Sequence, residues 1–345
     1  MSRQLLGRAV PKARVAALIG SAILAGAAQP AFADFVGGLV AQVSVENITT
    51  HITALDYPRA TPTAQAQASD YIVGVLESYG YTAVLDPVDT SANIIVRLEG
   101  TVTPERVFVL GAHFDSVAGS PGADDNASGV AGLLEIARIL AGLHPDASIE
   151  LVGFALEENG KVGSTHYAQA ASTAGVDVIG MIAFEMIAYT CQSPGCQVAF
   201  ADIPGCLDVE PAGVNVGNYI ADLGNDASAA LLGSFRDAAV SWVPTLVVGT
   251  AQVAGTGTCF SATRRSDHAP FWDRGYRALM ITDTADYRNP NYHQPSDTLA
   301  TLDLPFARLV TQATLATVVS EVGFSQVFAD GFESGGSTAW SSTAP

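Results

Sequence analysis

Apolar and polar positions alternate along this chain with two different periods, and the switches between them outline its elements. Leu39 to Gly80 read as mostly helical, because Ala64 to Tyr79 place apolar or small residues at helical spacing and Gly80 is a natural stop. A β-rich stretch follows, with strands predicted over Thr82 to Leu85 and Asn93 to Leu98. Arg106 to Gly111 (RVFVLG) is a stronger strand, a near-continuous apolar run bounded by turn residues. Gly129 to Leu143 read as an amphipathic helix, apolar at Val130, Leu133, Leu134, Ala137 and Leu140. Ser148 to Leu156 (SIELVGFAL) and Val178 to Phe184 (VIGMIAF) are buried strands, with a helix predicted between them over Gly163 to Ala174. Later strands are expected at Thr245 to Val248 and Ala278 to Thr282, and a last helix near Leu304 to Val322. Buried strands alternating with helices predict an α/β fold whose mixed, largely parallel central sheet carries helices on both faces.

The ends of the chain break this pattern. Arg3, Arg8, Lys12 and Arg14 precede an apolar stretch, Val15 to Ala28, and Ala31-Phe32-Ala33 then supplies a small-x-small sequence. That is the layout of a removable export signal, so residues 1–33 are expected to be cleaved and the product secreted, extracellular or periplasmic. The apolar stretch is short for a membrane span, and no membrane association is expected after cleavage. From Gly323 the chain turns Gly- and Ser-rich and loses any period, so 323–345 is expected to be a flexible tail and 34–322 the catalytic domain.

Composition narrows the partners. The 345 residues carry a formal charge of -18, and losing residues 1–33 removes four basic residues and no acidic ones. So acidic a chain is repelled by phosphate backbones, which excludes nucleic acid as a partner. The four cysteines, Cys191, Cys196, Cys206 and Cys259, include no Cys-x-x-Cys pair, which argues against a zinc-cysteine site. Exported, they form two disulfides. Three pairings are possible; the favoured one is a local Cys191–Cys196 clip with a longer Cys206–Cys259 staple.

Candidate chemistry clusters at predicted strand ends, where open α/β sheets place their sites. His113-Phe114-Asp115 follows RVFVLG, and Asp125 lies ten residues on in GADDNASG, just before a helix. Glu157-Glu158 leave the next strand, Glu185 ends VIGMIAF, and His293 sits in the polar run YHQPSDT. Imidazoles and carboxylates are zinc ligands, and an acid left free serves as general base toward a bound water. Taken singly each has an ordinary alternative: a hydrogen-bonded core histidine, a helix cap at Asp124 or Asp125, a solvated rim, a loop histidine. Four such clusters at consecutive strand ends favour one site. Ser266-Asp267-His268 has no Gly-x-Ser-x-Gly elbow beside it, so Asp267 and His268 read as structural or supporting.

The run GAHFDSVAGSPGADDNASGVAGLLEIAR, followed by EEN, GS, SDH and YHQPSDT, resembles the M28 family of zinc metallopeptidases, which includes secreted bacterial leucyl-type aminopeptidases. The resemblance covers roughly residues 85 to 320. It implies the fold of the zinc-dependent, phosphorylase/hydrolase-like exopeptidases and two zinc ions. One would be held by His113 and Glu185, the other by Glu158 and His293, with Asp125 bridging them. Glu157 would be the general base and acid acting on a hydroxide between the metals, Tyr292 would steady the tetrahedral intermediate, and Asp115 would support His113. Glu185 stands where the family usually has aspartate. The resemblance also implies peptide or protein substrates with free N-termini; an acidic, apolar pocket would suit a hydrophobic first residue, and a monomer is expected. Related scaffolds support other reactions: a single-zinc glutaminyl cyclase, a carboxypeptidase or another amidase. A binding protein with a degenerate site is disfavoured, because every expected ligand position holds a competent residue.

Overall fold

The computed structural model describes residues 22–325; most of the expected export signal and all of 326–345 lie outside them. Three helices open the described chain: α1 (Ala22–Val40), α2 (Val45–Leu55) and α3 (Pro62–Ser78). Local chemistry sets their starts. The Ser44 and Thr61 side chains accept hydrogen bonds from the backbone N–H of Asn47 and Ala64, and Pro62 fixes φ at the first position of α3. The expected cleavage point after Ala33 falls inside α1.

Next come β1 (Val84–Val88), β2 (Ser91–Leu98), β3 (Thr103–His113), α4 (Gly129–Leu140), β4 (Ala147–Phe154), α5 (Val162–Ala174) and β5 (Asp177–Glu185). Then follow β6 (Leu207–Glu210), β7 (Ile220–Asn225), α6 (Ala229–Trp242), β8 (Val248–Val253), α7 (Ala269–Asp273), β9 (Ala278–Thr282) and α8 (Leu304–Val322). The nine strands form one sheet in the order β1-β2-β4-β3-β5-β9-β7-β8-β6. Its centre, β4-β3-β5-β9, is parallel; β1, β2 and β6 pair antiparallel, and β7, parallel to β8, meets β9 antiparallel. The mixed α/β prediction therefore holds.

Period-two alternation on β3 shows the layering. Phe108, Leu110 and Ala112 face a large core shared with α1 to α4, α6 and α8, while Val107 and Val109 face a smaller one with α5 and α7. Both faces are buried, which is why the parallel strands read as continuous apolar runs. The strand expected at Thr245 to Val248 begins only at Val248, and β6, β7 and α6 occupy a stretch where the pattern predicts no element. Disulfides join Cys191 to Cys196 and Cys206 to Cys259, the favoured pairing. The first residues of the expected tail are tied down. Phe324 is buried against Phe35, and Asp146 accepts from the Ser325 N–H while donating its own to the Gly323 carbonyl.

One buried acid gives a stability prediction. Asp222 sits mid-strand in β7, fully buried, beside Thr250 of β8 and with no charged partner in contact. Burial pushes its carboxyl up to about 8. The folded chain therefore holds a proton that the unfolded chain releases near pH 4, so stability present at low pH is lost as pH rises toward 8. Asp222→Asn removes that loss. Its thermal midpoint is expected to match wild type near pH 4 and to lie at least about 2–4 °C above it at pH 8, by calorimetry. Parallel curves at all pH values would refute this origin.

Candidate metal centre

Each candidate ligand leaves the C-terminal edge of the parallel strands. His113 ends β3, Glu157 and Glu158 follow β4, Glu185 ends β5, and His293 lies in the loop after β9. Asp125 sits between β3 and α4, in a segment with a cis Asp125–Asn126 peptide. Gly122 permits the tight path there: its φ is 65°, and a Cβ would lie 2.2 Å from the Asp125 carbonyl oxygen. Three non-glycine residues beside the cluster are also left-handed, Leu156 (φ 58°), Met186 (φ 54°) and His293 itself (φ 59°). Such conformations concentrate where the surrounding fold holds a functional geometry in place.

The side chains converge as two triads that share Asp125. His113, Asp125 and Glu185 form one; Asp125, Glu158 and His293 form the other, and in each the ligand atoms lie within 4.8 Å of one another. His113 Nε2 is 3.4 Å from both Asp125 Oδ1 and Glu185 Oε2, while its Nδ1 faces Asp115 Oδ1 at 3.4 Å. His293 Nε2 is 3.1 Å from Asp125 Oδ2 and 3.4 Å from Glu158 Oε2. Buried atoms His113 Nε2, Asp125 Oδ1, Glu158 Oε1 and His293 Nε2 make no hydrogen bond. Orphan acceptors converging from carboxylates and imidazoles are the donor set zinc takes, so these residues fit the metal.

Electrostatics tell the same story. Burial disfavours a charged His113, but Glu185, Asp115 and Asp125 outweigh it and hold the imidazole well above its usual range. Burial is likewise outweighed at His293, which Asp125 and Glu158 raise to about 10. Burial would raise Asp125, yet His113 and His293 hold it low. Imidazoles and carboxylates set this close interact strongly, and uptake of a metal ion would release any protons they share. Glu157 lies outside both triads, and burial pushes it well above the carboxylate range, with Glu185, Asp267 and Glu158 adding to the rise against His113.

Surrounding residues hold the cluster. Asp115 faces His113 and also accepts from two backbone amides, Glu157 N to Oδ1 and Glu158 N to Oδ2, both at 3.1 Å. It therefore aligns three candidate residues rather than one. The adjacent pair divides: Asp125 faces the cluster, while Asp124 accepts from Ala188 N at 3.0 Å and Asn289 Nδ2 at 2.8 Å. Tyr292 stacks on His293 with ring centroids 3.7 Å apart, and its hydroxyl accepts from Arg265 at 3.0 Å. Asp267 is fully buried close to Glu157, and His268 bonds the Thr263 carbonyl oxygen at 2.8 Å.

Two supports have no counterpart in the sequence reading. Asp297 accepts from the N–H groups of Asp124 and Asp125, at 2.9 and 3.1 Å. Arg59, fully buried, donates to the carbonyls of Leu55, Tyr57, Phe114, Pro121 and Gly122, and its own N–H bonds Ser116 Oγ at 2.9 Å. The strap between α2 and α3 is thus part of the site's foundation. Beside the cluster opens an apolar cavity. Glu185 and Tyr292 stand at its metal-facing side, and Leu207, Val209, Leu223, Phe260 and Met280 line its wall.

A mixed α/β sheet with two imidazole–carboxylate triads at its parallel strand ends has the donor set of a metal-dependent enzyme, and the family match makes that class a zinc-dependent hydrolase. Residues 93–318 match the model of peptidase family M28, and the chain belongs to that family. It is 32% identical over 268 residues to the uncharacterized protein YfbL of Escherichia coli, covering 74% of this chain and 80% of that one. A probable zinc metalloprotease of Pyrenophora tritici-repentis is 28% identical over 279 residues. That match takes in 75% of this chain but 56% of the fungal protein, so this chain spans little more than half of that relative's length. The fold is shared with the LapA aminopeptidase of Legionella pneumophila at a TM-score of 0.66 and 19% identity, over 84% of this chain and 75% of that one.

Proposed function

We propose that this hydrolase is a secreted, monomeric aminopeptidase that holds two zinc ions and releases hydrophobic N-terminal residues from peptides. The observation that carries the reading is the pair of triads sharing Asp125, beside an apolar cavity that Glu185 lines. His113, Asp125 and Glu185 would hold one ion; Asp125, Glu158 and His293 would hold the other. Bound zinc would supply Lewis acidity toward the scissile carbonyl and lower the pKa of the attacking water.

The chain's own residues do the rest. Glu157, free of both triads, takes the proton of the attacking water and returns it to the leaving amine. Asp115 fixes Glu157 through its backbone amide. Because the Tyr292 hydroxyl accepts from Arg265, its own proton is left to donate toward the oxygen that becomes charged. The acidic surroundings suit a peptide's ammonium end, and the cavity suits an apolar first side chain. Secretion is supported by the basic and apolar N-terminal run and the two disulfides; among the described residues no helix is long and apolar enough to cross a membrane.

The test is hydrolysis of leucine p-nitroanilide and of its N-acetyl form. Cleavage of the free-amine substrate alone is expected, at least about 100-fold faster than the blocked one, because the acidic site would lose its cationic partner. A chelator should abolish it and zinc restore it. Cleavage of the blocked substrate at a comparable rate would refute the exopeptidase reading. A zinc-loaded protein that cleaves neither would point to cyclisation, a carboxypeptidase or an amidase of other substrates.

A further inference from the structure

The cavity beside the metal centre runs across the sheet, not along its strands. Strand register lays it out. Glu185 of β5 is level with Thr282 of β9, Thr282 with Ala221 of β7, and Ala221 with Gly249 of β8. The neighbouring row is Met280, Leu223, Ala251 and Val209, one residue each from β9, β7, β8 and β6. Both rows line the cavity. Three strand spacings of about 4.8 Å separate β9 from β6, so the trough extends about 14 Å from its metal end.

That is long for one amino-acid side chain. With C–C bonds of about 1.5 Å, leucine reaches about 4 Å beyond its Cα and the longest apolar side chains about 7 Å. Either leaves the half nearest β6 unfilled. The middle of the trough is small and apolar. Ala221 and Ala251 give it depth, and the Tyr219 ring lies on Gly249, where a Cβ would come within 2.8 Å of it. Phe200 and Tyr287, packed edge to face with centroids 4.8 Å apart, add an aromatic wall. The floor's backbone N–H and C=O groups pair within the β9-β7-β8-β6 ladders. A peptide laid along it would bury its own amides without partners, whereas an alkyl chain has none to satisfy.

We infer that the trough binds an unbranched acyl chain, and that the enzyme also hydrolyses long-chain N-acyl amino acids. This rests on the metal chemistry and the role of Glu157 proposed above, but not on the preference for a free amino terminus. Water adds to the acyl carbonyl carbon, the C–N bond breaks, and Glu157 passes the water's proton to the leaving nitrogen. The products are a fatty carboxylate and an amino acid. At about 1.25 Å per carbon, a decanoyl chain spans about 11 Å and fills most of the trough.

The test is amine release from N-acetyl-, N-hexanoyl- and N-decanoyl-alanine by the zinc-loaded full chain, beside leucine p-nitroanilide, for wild type, Ala251→Leu and Glu157→Gln. Thermal unfolding and zinc content check that each variant is intact. Wild-type kcat/KM is expected to rise about three- to fourfold for each CH₂ fully buried, and at least about 100-fold from acetyl to decanoyl. Ala251→Leu raises the floor two strands beyond β9, where a decanoyl chain reaches and a hexanoyl chain does not. It is expected to cut decanoyl-alanine hydrolysis at least about tenfold and hexanoyl-alanine far less, a shift in length preference that general damage would not produce. Glu157→Gln is expected to abolish release, which ties it to this site. Leucine p-nitroanilide cleaved with no acyl-alanine touched would overturn the inference alone. So would rates independent of chain length, or a decanoyl rate that Ala251→Leu leaves unchanged. Decanoyl-alanine cleaved with leucine p-nitroanilide untouched would support the inference and overturn the aminopeptidase reading. A zinc-loaded protein that cleaves none of them would overturn both. If Ala251→Leu does not fold, the wild-type length series decides.

Discussion

A Glu157→Gln enzyme is expected to keep its zinc and lose about 10²- to 10⁴-fold in kcat. Glutamine preserves the side chain's size, and the backbone amide still bonds Asp115. What it removes is the ability to accept the water's proton and pass it on. Because Glu157 belongs to neither triad, zinc content should equal wild type, and KM should change far less than kcat. Kinetics on leucine p-nitroanilide beside metal analysis checks this. A variant that retained a tenth of wild-type kcat would remove Glu157 from the mechanism; one that lost its zinc would make Glu157 a ligand.

The second large effect is expected far from the reacting atoms. Arg59→Met keeps the length of the buried side chain but withdraws the donors serving five carbonyl groups. The Leu55 and Gly122 carbonyls keep backbone donors from Tyr57 and Ala127, but those of Tyr57, Phe114 and Pro121 lose theirs, and a buried acceptor left without a partner costs about 1–3 kcal/mol. Even with partial relaxation the loss should reach at least about 3 kcal/mol, a large share of the 5–15 kcal/mol that holds most domains folded. Urea midpoints should fall at unchanged m, and zinc should be retained less well, because Phe114 and Gly122 flank the ligand loops. Arg59→Lys should recover only part, since one ammonium cannot reach all five oxygens. A shift below about 1 kcal/mol would show that the carbonyls find water instead. The same contacts tie the segment before α3 to the site: cleaving away residues 34–60 would remove Arg59 from the interior.

What the sequence made legible follows from burial on two sides. Strands β3, β4, β5 and β9 are covered on both faces, so RVFVLG, SIELVGFAL, VIGMIAF and ALMIT stand out as apolar runs, and the acids and imidazoles that end them stand out against those runs. Strand β7, IADLGN, hides because aspartate, glycine and asparagine are poor strand formers; pairing with β8 and β9 overrides local propensity. The placement of β8 slipped for the same reason, since VGTAQV has no clear alternation. Arg59 and Asp297 escaped for a different one. Arg59 grips carbonyls up to 63 residues away, and Asp297 holds amides 172 and 173 residues away, so no local window contains both partners. The YHQPSDT run held Asp297 in plain view, but only the folded chain shows what it holds.

The sheet divides labour across one seam. Metal-facing residues hang from β3, β4, β5 and the loop after β9, whereas most of the cavity wall comes from β6, β7, β8 and the segment stapled by Cys206–Cys259. Where β9 meets β7 the strand direction reverses, and there the two halves touch. Descendants of this chain can therefore diverge on one side of the seam, exchanging wall residues or lengthening the stapled segment, while the ligand set stays fixed. On the proposed reading, substrate preference and chemistry are carried by separate strands.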